Sequence, residues 1–421
     1  MKRGTIAVLA AAACCVGLWQ AVRIGRARTL AQDALRTNNV AYADRAVGLV
    51  TNDPETHAAR GAVLQRTGDY PAACRELERA IQLRPRDYFL WMLLGVSRDL
   101  NNDQEGAVRA LRQATVLSPV YAKSHWLLGN LFLRTNNTPE AVQELRFAAT
   151  SDETLLPNVI DLAWGTYRHD PAQTINAIQP QTDNARMALA IFFAGHNQGL
   201  PALEQFRAVR SPTSEGAHNL MNALLQGSLF VEAREVWARL HHLSGGAPSL
   251  LNPGFEDEIA VGEIGFDWQI SANLPNVTMS ADPTQYQSGH KSLRIDFRGD
   301  SNPATPVVTQ LVLVKPHTNY RLTFQALSKD YLSAAVPVLA VVDAADEKGP
   351  ALAQSPGVSA ATTWREFSIE FATRDKTNAV RLQFTRQGCD GGPCAAFGTV
   401  WLDSFDLREL ATTSGKGSPV K

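Results

Sequence analysis

The sequence has almost no net charge to offer a polyanion: 40 Lys and Arg stand against 41 Asp and Glu, a formal charge of -1. There is no run of like charge either, so nothing points to nucleic acid as a partner. Cysteine is scarce. Cys14, Cys15, Cys74, Cys389 and Cys394 are too few for a disulfide framework. The short motifs of catalysis are missing as well, with no Ser-His-Asp elbow, HExxH pair, phosphate loop or dinucleotide fingerprint. His241 and His242 are adjacent, so on a helix they point apart and make a poor metal pair. Asp257, Glu258 and Glu263 lie in a loop with no partner that would make them a glycosidase pair. An enzyme is not expected, and a glycan-processing activity has no catalytic residue to name.

What the chain does have is length and apolar content. Its 421 residues, 45% of them hydrophobic, suffice for two or three domains with sizeable cores. Residues 1–28 form a leader-like segment. Met1-Lys2-Arg3 precedes an apolar run, Thr5–Val22, which Arg23, Arg26 and Arg28 follow. That run is near the minimum of about 17 residues for a spanning helix. Three readings fit it: an uncleaved transmembrane signal anchor, a cleaved signal peptide, or a lipoprotein signal using Cys14 or Cys15. The anchor is preferred over cleavage, and Ala11 stands where a lipobox has Leu. Positive charge on both flanks leaves the orientation open. Export is expected, with the bulk of the chain periplasmic or otherwise extracytoplasmic.

The dominant signal is a repeat of 34 residues. Gly61, Gly95 and Gly129 stand in register, as do Ala73, Ala107 and Ala141; Leu77, Leu111 and Leu145; and Ala80, Ala114 and Ala148. Pro85 and Pro119 close the first two units, where a helix must end. Units at 54–87, 88–121 and 122–155 follow. Each turns at Gly or Asn (Thr67-Gly68-Asp69, Asn101-Asn102-Asp103, Asn136-Asn137), which tolerate a left-handed backbone. This period and these residue types resemble the tetratricopeptide repeat, a helix–turn–helix unit that stacks into a solenoid. Residues 29–53 read as a partial repeat covering one end. After 155 the register is lost, but helical patterns continue over 155–167, 185–194, 202–209, 217–226 and 232–243. The solenoid is therefore expected to occupy 29–243.

The repeat family uses its first helices to receive extended peptides. That implies a protein-binding groove at Arg66, Phe89, Met92, Val96, Trp126, Asn130 and Arg134, with Gln65, Asp99 and Lys123 beside it.

A Ser/Gly/Pro linker at 244–250 then changes the hydrophobic period from 3.6 to 2. Alternation recurs at 293–297, 320–326, 338–342, 367–371, 380–384 and 400–402, predicting an all-β sandwich over 251–410 and a tail at 411–421. The motifs Asn252-Pro253-Gly254-Phe255-Glu256, Ser288-Gly289-His290-Lys291-Ser292-Leu293 and Leu402-Asp403-Ser404-Phe405-Asp406-Leu407 come in that order, with Trp268, Tyr320-Arg321-Leu322-Thr323-Phe324 and Trp364 among them. They resemble the galactose-binding-like jelly rolls, the fold of many carbohydrate-binding modules. That resemblance implies a structural calcium at Glu256 and Asp403, helped by carbonyls of the Ser-Gly turn. It also implies sugar-stacking by aromatics such as Trp268, Tyr286, Trp364 and Trp401. Cys389 and Cys394 sit in a Gly-rich loop without two further ligands at metal spacing, so a disulfide is expected. Cys74 is expected to be a buried thiol.

The fold expected is thus multidomain, an all-α solenoid followed by an all-β jelly roll. The function expected is a membrane-anchored or exported scaffold binding protein through the first and glycan through the second, in polysaccharide assembly or export. The alternative is a purely structural assembly factor that binds no sugar.

Overall fold

A computed structural model describes residues 2–243, 250–259, 265–271, 274–359, 361–389 and 394–411, without the side chains of 2–7 and 10. Residues 244–249 of the expected linker, the candidate acid Glu263 and the tail from 412 lie outside the described residues. The chain divides into two compact units, 1–180 and 181–421.

The first unit is helical. It opens with α1 (Lys2–Thr37) and α2 (Val40–Leu49), followed by three hairpins: α3 (Pro54–Thr67) with α4 (Tyr70–Leu83), α5 (Tyr88–Leu100) with α6 (Gln104–Leu117), and α7 (Ala122–Arg134) with α8 (Thr138–Ser151). Each hairpin packs on the next. The turns form as their residues dictate: Gly68, Asn102 and Asn136 adopt φ of 90°, 62° and 59°. Asp69 and Asp103 then cap the second helices, their carboxylates accepting from Ala72 N and Gly106 N. Helices α9 (Leu156–Thr166) and α10 (Pro171–Ile178) complete this unit. Pro171 occupies the first turn of α10 behind an Asp170 cap, where its missing N–H costs nothing.

Among the described residues no helix is long and apolar enough to cross a membrane. The run expected to span, Thr5–Val22, lies within α1. That run includes Thr5, Ile6, Ala7 and Ala10, whose side chains fall outside the described residues. Val8, Leu9, Val16, Leu18, Trp19 and Val22 are exposed along it, whereas Ala27, Ala31 and Ala34 are buried further along the same helix.

The second unit begins with α11 (Asp183–Gly195), α12 (Gly199–Arg207), α13 (Ser214–Gln226) and α14 (Phe230–Leu240). Two five-stranded antiparallel sheets follow. One has the order β1 (Gln269–Ile270), β4 (Val308–Leu313), β9 (Ala379–Gln387), β6 (Val336–Asp343), β7 (Ala353–Gln354). The other has the order β2 (Val277–Asp282), β3 (Ser292–Ser301), β10 (Cys394–Glu409), β5 (Asn319–Ser333), β8 (Arg365–Ala372). Alternation puts Leu293, Ile295 and Phe297 of β3 into the core with Leu322 and Phe324 of β5 and Phe367 and Ile369 of β8. Strand β4 escapes period-2 reading because Gln310, Leu311 and Val312 are buried in succession. Trp237 of α14 packs edge-on against Phe266, just before β1.

Candidate functional site

The groove residues lie on the first helix of each hairpin. Phe89 is 47% exposed, Arg66 and Arg134 are exposed, and Val96, Trp126 and Asn130 are half-buried. Arg134 bridges to Asp99 of the preceding hairpin, so two candidate positions neutralise each other. Asn130 Nδ2 donates to Trp126 O at 2.8 Å. Met92 does not belong to this face. It is 3% exposed, in a cluster with Leu128 and Leu131 of α7 and Leu111 of α6, because its position falls where the three helices meet. Trp126, one repeat later, stays half-buried.

In the sandwich the candidate aromatics separate. Trp268 is 1% exposed, packed on Phe255 and Phe405, with Nε1 donating to Asn252 O. A ring sealed in this way offers no face to a sugar, which corrects that assignment. Trp401 is likewise buried, its Nε1 donating to Asp282 Oδ2 at 2.9 Å. Tyr286 remains 44% exposed, and Trp364 is half-buried.

Glu256 and Asp403 meet at one turn. Glu256 Oε1 accepts from His290 N and Lys291 N, at 2.8 and 3.2 Å. Asp403 Oδ2 accepts from Gln287 N and Ser288 N, at 2.7 and 3.1 Å. The expected carbonyls of the Ser-Gly turn are thus replaced by its amides. The amide of His290 holds the Glu256 carboxyl below its ordinary range, with burial opposing it and the amide of Lys291 assisting. Gly289, at φ 70°, is needed here: a Cβ would lie 2.1 Å from Glu256 Oε1. Gly254 sits beside both acids, and Phe405 N donates to Pro253 O, joining the opening and closing segments. Each carboxylate has one oxygen engaged by amides. Asp403 Oδ1 takes Ser404 Oγ at 3.2 Å. Two carboxylates at one turn suit a hard cation in charge and donor type, although no group of three or more His, Cys, Asp or Glu that would hold a metal occurs among the described residues.

Cys389 and Cys394 form a disulfide with a Cα–Cα distance of 6.4 Å, and Cys74 is a buried free thiol. Burial pushes the Cys74 thiol up from its ordinary value.

Residues 58–114 and 101–153 match the tetratricopeptide-repeat family model. No curated protein matches the chain. Among solved structures it is similar to MamA (15% identity, covering 35% of this chain and 85% of that one, TM-score 0.31). It is also similar to the 41-end form of MamA from Desulfovibrio magneticus RS-1 (18% identity, 37% and 93% covered, TM-score 0.33). A third likeness is to a chain of the CopN-Scc3 complex (19% identity, 26% and 68% covered, TM-score 0.25). The hairpins of the first unit are tetratricopeptide repeats.

Proposed function

We propose that this chain is a non-enzymatic scaffold whose repeats hold an extended segment of a partner protein. The observation carrying this reading is the row of incompletely buried side chains on α5 and α7, Phe89, Val96, Trp126 and Asn130, with Arg66 and Arg134 at its margins. Large apolar side chains left half-open between charged ones form the kind of surface that binds protein. An array of extended peptides probed with the full chain tests it. Trp126→Ala should weaken binding and leave far-ultraviolet circular dichroism intact. Lost helicity would move Trp126 into the core, and unchanged binding would reject the groove.

The sandwich is proposed to attach the scaffold to glycan, through Tyr286 and Trp364, in polysaccharide assembly or export. The second reading, a purely structural sandwich, is favoured by the burial of Trp268 and Trp401. A glycan array separates the two: binding lost in Tyr286→Ala supports the first, and no binding to any glycan supports the second. The proposed location is extracytoplasmic, attached to a membrane through the N-terminal segment. Pairing of Cys389 with Cys394 supports it, since such bonds persist in oxidising compartments.

A further inference from the structure

One position on the first helix of each repeat carries a ring nitrogen: His57 in α3, Trp91 in α5 and His125 in α7, spaced by the repeat length. All three do the same thing with it. His57 Nε2 lies 2.9 Å from Thr51 O, Trp91 Nε1 donates to Pro85 O at 2.8 Å, and His125 Nε2 lies 3.0 Å from Pro119 O. Each bond ties a helix to the carbonyl six residues before it, in the loop from the preceding helix. The second ring nitrogen distinguishes the repeats. His57 Nδ1 is 2.7 Å from Glu76 Oε2, and His125 Nδ1 is 2.7 Å from Glu144 Oε2. Trp91 has no second nitrogen, and the position equivalent to Glu76 and Glu144 is Ala110, fully buried. The acid is present where the ring is His and absent where it is Trp.

Hydrogen-bond chemistry fixes what this requires. A carbonyl oxygen and a carboxylate oxygen both accept, so both imidazole nitrogens must donate, and only the imidazolium does so. The side chains are 8% and 9% exposed for the histidines and 17% and 20% for their acids, so water does not readily replace a lost bond.

We propose that His57–Glu76 and His125–Glu144 are proton-dependent clamps that close the first and third repeats and loosen when the imidazoliums lose their protons. The second repeat, clamped by Trp91, does not respond. The bond to the Glu carboxylate raises both histidines above 6.5 despite burial, which lowers them. The stabilisation is therefore complete below about pH 6.5 and disappears as pH rises through the raised value.

The clamps are unequal. Around His57 stand Glu76 and Arg79 of α4 and, on its own helix, Arg60, which pairs with Glu76 at 2.8 Å and with Asp44 of α2. Deprotonated His57 would leave Glu76 still paired. His125 faces Glu144 and Phe147 of α8, with Arg146 packed over the Phe147 ring. Leu128 occupies the position of Arg60, so among the described residues Glu144 has no second basic partner. The third repeat, which also presents Trp126, should respond most.

Hydrogen exchange of the full chain, corrected for intrinsic rates, is to be followed from about pH 6 to about pH 9. The opening constant of 122–134 should rise by up to about tenfold per pH unit within the window, that of 54–67 less, and that of 88–100 least. The variant His125→Trp with Glu144→Ala, copying the second repeat, should flatten the 122–134 response. The same pH response in all three wild-type repeats would overturn the proposal without any variant having to fold. So would a response in the variant equal to wild type.

Discussion

A Cβ built on Gly95 would lie 2.5 Å from Cγ of Leu111, sixteen residues on and in the opposite helix of the hairpin. The same approach occurs at Gly61 to Leu77 (2.7 Å) and Gly129 to Leu145 (2.6 Å). Two of the repeat's invariant columns are therefore one contact: glycine leaves the space that leucine fills. Gly95→Ala should destabilise the helical unit by about 1–3 kcal/mol through overpacking, beyond the small gain in helix propensity. Urea unfolding followed by helical circular dichroism measures it, and an unchanged or raised midpoint would refute the packing argument.

Asp282 links the start of the sandwich to its last strand. It accepts from Thr284 N and Oγ1 and from Trp401 Nε1, with Arg294 at 3.7 Å. Burial opposes its ionisation, but the bonds from Thr284 and Trp401 outweigh it and hold the carboxyl at about 2. Asp282→Ala should cost about 1–3 kcal/mol at neutral pH by orphaning the indole N–H. Because the value is depressed, that stabilisation is present above about pH 4 and lost as pH falls towards about 2. A wild-type-to-variant difference of the same size at both ends of that range would show that the charge of Asp282 is irrelevant.

Calcium is the proposal for Glu256 and Asp403. A cation held only by the folded state raises the melting temperature in proportion to the logarithm of its concentration above Kd. Full-length protein should melt higher with calcium than with chelator, and Glu256→Gln or Asp403→Asn should remove most of the increment. Melting indifferent to both calcium and chelator would leave the two acids as anchors for the amides of the 287–291 turn.

The repeats were legible because each column answers to a local requirement, such as small at Gly95, large at Leu111 and left-handed at Asn102. Placement across the fold was not. Period 2 marks strands with one wet face, and β4, with Gln310, Leu311 and Val312 all buried, breaks that alternation. Sequence distinguishes neither the sealed ring of Trp268 from the open ring of Tyr286, nor the buried Met92 from the half-open Trp126 one repeat later. Those differences depend on what packs from elsewhere in the chain. The clamps were visible in principle, because His57, Trp91 and His125 share a column and Glu76, Ala110 and Glu144 share another. Pairing them requires knowing that nineteen residues bring the two side chains to 2.7 Å.

The scaffold account is tested most directly by placing a photocrosslinking residue singly at Phe89 and Trp126, with Val116, 72% exposed at the end of α6, as the control position. Irradiation in cells that make the protein should yield a discrete protein adduct from Phe89 and Trp126 and none from Val116. Adducts of equal yield from all three positions, or from Val116 alone, would contradict a binding face on α5 and α7.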